Sequence, residues 1–154
     1  MKRALSIIVS NEHGVLSRVV GLFSGRGYNI DSLTVAPTMN NEFSRINITT
    51  SGDDAAFEQI TKQLHKLIPT YKVLEGCEFV ERECALVRIG INENLAGLDS
   101  LLKSFNGSIA HSNDETITIC VNDTSDRIDN FLKTMKKFNP IDYARSGSLL
   151  MEVK

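Results

Sequence analysis

The segment with the residue types best suited to binding a small molecule is "NEHGVLSRVV", residues 11–20. Its apolar residues recur at helical spacing, so a helix begins at about Gly14 or Val15. The first amides of a helix lack internal partners and lie at the positive end of its dipole, so they can bind a carboxylate without a basic side chain. Gly14 has no Cβ and would let a ligand approach the backbone closely. Asn11 could donate to a carboxylate or accept from an ammonium group, while Val15 and Leu16 could form an apolar wall. The pattern indicates a small-anion site, with a plain capped turn as the alternative.

The three histidines offer the next candidates for chemistry. His13 follows Asn11 in the same loop, His65 lies on a polar helix face and His111 lies in a strand. None belongs to a local signature of nucleophilic catalysis or of zinc-dependent hydrolysis. A small enzyme remains an alternative only if the fold brings His111 beside Cys120 or Ser112 in a cleft.

The cysteine pattern favours reduced thiols. Cys77, Cys84 and Cys120 are an odd number, with no close pair in the sequence and no histidine grouped with them. Neither a zinc site nor a disulfide framework is indicated. We therefore expect a cytoplasmic protein.

Several other function classes are disfavoured. The glycines of "SGRGYN", residues 24–29, follow a helix, whereas a phosphate-binding loop places its glycines before one. The net charge is −2 without a basic cluster, and the predicted strands lack the exposed aromatics of an RNA-binding sheet, so we expect no nucleic acid partner. No apolar run is long enough for a bilayer span, and the first residues lack the features of a signal peptide, so we expect no membrane association.

The first half of the chain has the period of a β-α-β-β-α-β unit. The predicted elements are a strand at 4–10, a helix at 14–24, strands at 30–36 and 44–50, a helix at 52–68 and a strand at 71–75. The buried stripe of the first helix is predicted to be Leu16, Val19, Val20 and Phe23, with Gly21 allowing close packing against the sheet. Asp53 or Asp54 is expected to cap the second helix.

The second half repeats this order without repeating the sequence. Its predicted elements are a strand at 84–91, a helix at 95–105, a hairpin formed by 108–112 and 116–121, a helix that opens within 122–126 and continues to 135, and a last strand at 141–147. The predicted fold is therefore α+β, with two ferredoxin-like βαββαβ domains in tandem, residues 1–76 and 77–154. The boundary is expected within 76–83.

A resemblance supplements these patterns. The stretch "NEHGVLSRVVGLFSGRGYNIDSLTVAPT", followed by "SRINITTSGD", "VERE" and "ARSG", resembles the small regulatory subunits of acetolactate synthase. The resemblance extends over nearly the whole chain, and its densest motifs precede residue 77. It implies that the first domain is an ACT domain, a ferredoxin-like module that senses amino acids.

The resemblance also implies a ligand and a binding geometry. In this family two ACT domains pair side by side, and the inhibitor valine binds between them. The carboxylate would be held by Asn11, by Gly14 and by the amides of His13, Val15 and Leu16. Asn29 and Ile30 of the partner chain would complete the pocket and bind the ammonium group.

The implied function is regulatory rather than catalytic. The chain would form a homodimer, bind and activate the catalytic large subunit of a transferase in branched-chain amino acid biosynthesis, and confer feedback inhibition by valine. This chain would hold no cofactor, and the thiamine diphosphate, magnesium and FAD would belong to the catalytic subunit. The alternative is an ACT-type module that regulates a different enzyme or a transcription system.

Overall fold

The computed structural model describes all 154 residues and divides them into two compact units. The first unit comprises Met1–Val80 together with Ser148–Lys154, and the second comprises Glu81–Gly147.

The first unit has the predicted β-α-β-β-α-β order. Its elements are β1 (Lys2–Ser10), α1 (Val15–Ser24), β2 (Asn29–Pro37), β3 (Phe43–Ser51), α2 (Asp54–Lys66) and β4 (Thr70–Glu75). The sheet order is β2-β3-β1-β4, and each neighbouring pair is antiparallel. β2 and β4 are therefore the edges of this sheet.

The core of the first unit follows from the alternation in its central strands. Leu5 and Ile7 of β1 are fully buried opposite Ile48 and Ile46 of β3. Burial of this face against α1 and α2 removes several large apolar side chains from water, which is the main stabilising contribution. The alternate residues of β1 face the other side of the sheet.

The first helix differs from expectation in two respects. α1 buries Val15, Val19 and Phe23, whereas Leu16 is 38% exposed and Gly21 is also exposed. A Cβ at Gly21 would meet nothing within 4 Å, so close packing against the sheet was the wrong reason for this glycine. The helical period of the apolar residues was predicted correctly, but the buried face of α1 includes Val15 in place of Leu16.

The second unit also has a β-α-β-β-α-β order. Its elements are β5 (Phe79–Gly90), α3 (Leu98–Ser104), β6 (Ser108–Ser112), β7 (Thr116–Asp123), α4 (Ser125–Met135), a 3-10 turn (Lys136–Phe138) and β8 (Asp142–Arg145). The strands are ordered β6-β7-β5-β8 and all pairs are antiparallel. Ala85, Val87 and Ile89 of β5 are buried with Ile119 and Val121 of β7.

A last strand, β9 (Leu149–Glu152), was not predicted. It pairs with β5, and the amide of Val153 donates to the carbonyl of Glu78 at 2.9 Å. The Arg45 guanidinium also donates to the carbonyl of Leu150 at 3.2 Å. These bonds place residues 148–154 in the first compact unit, so the division differs from the predicted domains 1–76 and 77–154 at this terminus and at residues 77–80.

Two cysteines that are distant in the sequence meet on the second sheet. The Sγ atoms of Cys84 on β5 and Cys120 on β7 lie 3.6 Å apart, and all three cysteines are free. Burial, followed by the hydrogen bond and charge interaction with Cys120, raises the pKa of the Cys84 thiol. Sequence spacing gave no sign of this pair, because strand register alone creates it.

The helices are short. None combines the length and the apolar content that crossing a bilayer would require.

Candidate functional site

The N-terminus of α1 is shaped by Gly14. This residue is the N-cap, with φ of 81° in the left-handed region, and no side chain caps the helix. A residue with a Cβ is strained in that conformation, whereas glycine adopts it readily. The turn can therefore leave the first amides of the helix uncovered.

These uncovered amides make the N-terminus of α1 a candidate receptor for an anion. The amides of His13, Gly14, Leu16 and Ser17 have no hydrogen-bond partner in the chain, and helical bonding starts with Arg18, whose amide donates to the Gly14 carbonyl at 3.1 Å. The partial positive charge of the helix dipole lies at the same place. The arrangement can bind a carboxylate through backbone groups alone.

Val15 contributes less to this receptor than expected. Its amide makes a long bond of 3.5 Å to the Glu12 carbonyl, and its side chain is 4% exposed within the core. Leu16 is the apolar side chain that remains at the surface beside the free amides. His13 is exposed and its ring forms no hydrogen bond within the chain, so only its backbone contributes to the candidate receptor.

Asn11 anchors the strand end next to the receptor. Its backbone amide donates to the Glu42 carbonyl at 2.8 Å, and its Nδ2 donates to the Asn41 carbonyl at 3.0 Å. The side chain therefore fixes the end of β1 to the turn that precedes β3. Oδ1 remains free to accept from a ligand, and the second hydrogen of Nδ2 remains free to donate to the expected carboxylate.

Asn29 and Ile30 lie at the opposite end of the same sheet. Asn29 begins β2 opposite Ser51, and Ser51 also lies opposite Lys2, the first residue of β1. Asn11 follows the other end of β1, so about nine residues of strand, or ~30 Å at ~3.4 Å per residue, separate the two asparagines. One chain does not bring Asn29 and Ile30 to the N-terminus of α1.

Asn29 and Ile30 both make contacts within their own chain. Asn29 Nδ2 donates to Asp31 Oδ1 at 3.3 Å, and its carbonyl accepts from the Thr50 hydroxyl. Ile30 is half-buried and packs against the first core. Both residues lie at an open edge, because β2 is a terminal strand of the sheet order.

Sequence reasoning missed a cavity at the other end of β2. It has a volume of about 390 Å³ and lies wholly within the first unit. Its lining includes Val35, Met39, Leu149 and Met151, all of them substantially exposed apolar residues. The buried Asn47 also lines it, with Nδ2 donating to the Thr34 hydroxyl at 3.1 Å. The apolar run "LTVAPTM" was a sign of it, but the unpredicted β9 supplies one wall.

The residues considered for catalysis are not assembled into a reactive group. His65 and His111 are exposed, and His111 lies opposite Thr118 on the ladder between β6 and β7. The thiol of Cys120 faces Cys84. No group of three or more His, Cys, Asp or Glu side chains is arranged to hold a metal ion.

The chain is similar to known proteins over its full length. Residues 5–72 match the protein-family model of the AHAS small subunit-like ACT domain, and residues 82–154 match the protein-family model of the small subunit of acetolactate synthase. The acetolactate synthase small subunit of Haemophilus influenzae is 42% identical over 151 residues, covering 96% of this chain and 93% of that protein. The isozyme 3 small subunit of Escherichia coli is 44% identical over 153 residues, with 96% and 93% covered. The crystal structure of the acetolactate synthase small subunit from Thermotoga maritima superposes with a TM-score of 0.89, at 30% identity and with 100% and 98% covered.

Proposed function

Because the chain belongs to the family of acetolactate synthase small subunits, we propose that it binds the catalytic large subunit, raises its activity and confers feedback inhibition by valine. The observation that carries the sensing role is the uncapped N-terminus of α1, where the amides of His13, Gly14, Leu16 and Ser17 lack partners in the chain. A carboxylate of a free amino acid satisfies such amides.

The strand register supports a pocket formed by two chains. Pro37 at the end of β2 lies opposite Ser44, and Val9 near the end of β1 also lies opposite Ser44, so this end of β2 is level with Asn11. A two-fold antiparallel pairing of two β2 edges would set the start of one β2 against the end of the other. The partner's Asn29 would then lie at the Asn11 end of the first chain.

The proposed pocket divides the recognition of valine between the chains. The free amides at the N-terminus of α1 bind the carboxylate together with the second Nδ2 hydrogen of Asn11, and the Asn29 side chain of the other protomer accepts from the ammonium group, with Asn11 Oδ1 as a further acceptor. Leu16 and the other protomer's Ile30 contact the apolar side chain. Discrimination between valine and its homologues is weak, because one methylene is worth only ~1–3 kcal/mol.

Inhibition requires valine to bind one conformation of the assembly more tightly than another, since equal affinity for both conformations would leave their populations unchanged. On this proposal the chain itself performs no catalytic step. Thiamine diphosphate, magnesium and FAD belong to the catalytic subunit, and the assembly works in the cytoplasm on the path to branched-chain amino acids.

The first experiment is an isothermal titration of the purified chain with valine, leucine and isoleucine, repeated on two variants. Gly14→Asp places a carboxylate beside the amides that bind the ligand, so we expect valine binding to be lost. Gly76→Asp is the control, because it makes the same charge change at another exposed glycine of positive φ, 64°, with nothing within 4 Å of its Cβ position.

Reconstitution with the large subunit separates the parts of the proposal. We expect the wild-type chain to raise acetolactate synthase activity and valine to lower it, and Gly14→Asp to activate without valine sensitivity. Unchanged activity at saturating valine would defeat the inhibition claim and leave the subunit role in place. Absence of activation would favour the alternative of a module that serves another enzyme or a transcription system.

A further inference from the structure

The second unit contains a groove that the proposed sensing site does not use. It lies between α4 and the edge strand β8, over the buried Val87 of β5, and has a volume of about 250 Å³. Leu132 and Met135 of α4 form one apolar wall and Tyr143 of β8 forms the other. We name this feature the α4–β8 groove.

Apolar surface is left exposed along this edge. Tyr143 is 59% exposed, and Ile141, which immediately precedes β8, is 56% exposed. Tyr143 lies opposite Val87, so its ring is on the helix-covered side of the sheet, where apolar residues are normally buried. Exposed apolar surface with a polar rim is typical of interaction sites.

The basic side chains around the groove differ in whether they have an acidic partner. Arg145 is paired with Glu83 and Asp129, each at 2.6 Å. Lys133 and Lys136 also line the groove, and neither forms an ion pair in the chain. Glu83 and Asp129 together outweigh Arg145 by one charge, so these groups and the two lysines leave the groove with one net positive charge, and Lys133 and Lys136 are its basic groups without an acidic partner.

The dimensions favour a protein occupant over a small molecule. Small-molecule sites typically have ~300–1,000 Å³ and enclose most of their ligand, whereas this groove has a volume of about 250 Å³ and is bordered by the edge strand β8. A single apolar side chain fits its floor, with neighbouring carboxylates reaching the lysines. A buried apolar anchor surrounded by complementary charge is the usual form of a protein contact.

We propose that the α4–β8 groove docks a segment of the catalytic large subunit in which an apolar residue is flanked by acidic residues. The inference rests on the proposed function, since it assigns part of the subunit contact to the second unit. The apolar anchor fills the space between Leu132 and Tyr143, and the acidic residues pair with Lys133 and Lys136.

Adjacent lysines provide the test. Lys136→Glu reverses a charge at the groove, whereas Lys137→Glu makes the same change beside it, at a side chain directed to the Phe138 ring with Nζ 5.0 Å from the centroid. In titrations of the large subunit, we expect the Lys133→Glu, Lys136→Glu double variant to raise the half-activating concentration at least about tenfold and Lys137→Glu to change it less than about twofold. Tyr143→Ser, which removes the apolar wall, is expected to weaken activation while leaving valine binding by the free chain unchanged.

The outcomes distinguish the two proposals. If the double variant activates the large subunit at the same concentration as the wild-type chain, the groove assignment is wrong and the proposed function stands. Failure of the wild-type chain to bind the large subunit would overturn both. If the double variant instead changes the oligomeric state of the free chain in light scattering, the occupant is a second copy of this chain and the large-subunit assignment is wrong.

Discussion

At the scale of single residues, two glycines near the start of the chain show why neighbouring sequence does not reveal a glycine's role. A Cβ would meet nothing within 4 Å at either Gly14 or Gly21. Gly14 has φ of 81°, whereas Gly21 lies within α1 without a positive φ. The backbone conformation, rather than available space, decides what a side chain would cost at each position.

This difference predicts opposite effects of one substitution. Gly14→Ala is expected to lower the free energy of unfolding by ~1 kcal/mol, because alanine is strained in the left-handed region. Gly21→Ala is expected to raise it by up to ~1 kcal/mol, because alanine favours the helix. Urea denaturation followed by circular dichroism measures both free energies of unfolding. A change of the same sign in the two variants would contradict the explanation.

The cysteines give a second prediction at this scale. Cys77 is exposed, whereas burial and the neighbouring Cys120 raise the pKa of Cys84. A raised pKa lowers the thiolate fraction at a given pH, and the thiolate is the reactive form. Mass spectrometry after iodoacetamide treatment near neutral pH should find Cys77 alkylated first. Cys120→Ser is expected to bring Cys84 closer to the behaviour of an ordinary thiol, and faster alkylation of Cys84 than of Cys77 in the wild type would contradict this reasoning.

At the scale of elements, the helices differ in how their first amides are satisfied. The Asp53 carboxylate accepts from the Ala56 amide at 2.7 Å, which caps α2. Thr124 occupies the same position before α4 but makes no side-chain cap bond. α1 has no side-chain cap at all. The one helix of the first unit without a cap is thus the one whose N-terminus we propose as the sensing site.

The residues at these two N-cap positions are expected to differ in the cost of truncation, because only Asp53 forms a side-chain cap bond. Asp53→Ala should lower the free energy of unfolding by ~1 kcal/mol, because the Ala56 amide loses its acceptor. Thr124→Ala is the matched control and should cost no more than about 0.5 kcal/mol, as at ordinary surface positions. Thermal unfolding of the two variants gives the comparison, and equal destabilisation would show that the Asp53 bond contributes little.

At the scale of the whole molecule, the last residues of the chain complete the first unit. Glu152 forms ion pairs with Arg45 at 3.7 Å and Lys72 at 3.9 Å, and the Thr34 hydroxyl donates to the Ser148 carbonyl at 3.2 Å. Leu150 is 3% exposed in this segment, whereas Leu149 is 60% exposed. The compact unit that holds residues 1–80 therefore also includes the last seven residues of the chain.

Neighbouring leucines test this arrangement. Leu150→Ala should destabilise the protein by ~2 kcal/mol or more, because it removes a buried side chain. Leu149→Ala should cost no more than about 0.5 kcal/mol. Hydrogen exchange should speed up in the strands of the first unit for Leu150→Ala, although the substitution is near the C-terminus. An effect confined to residues 148–154 would contradict the assignment of this segment to the first unit.

The order of the elements could be read from the sequence because it depends on local pattern. Alternating Leu5, Ile7 and Val9 identified β1, and the helical spacing that ends at Phe23 identified α1. β9 escaped prediction because four residues are too few for a period, and its pairing depends on contacts with residues far away in the sequence. The contact between Cys84 and Cys120 escaped for the same reason, since register rather than spacing creates it.

The sequence by itself determined the two βαββαβ units, the glycine at the start of α1 and the family resemblance, because each depends on residue types at short separations. Only the tertiary structure decided which amides at that helix end stay free, that the Asn11 side chain is bonded to the Asn41 carbonyl, and that Asn29 lies at the far end of the sheet. These facts depend on strand register and on turns packed from distant segments. The pairing of backbone groups across a sheet is set by the whole fold, and no local pattern encodes it.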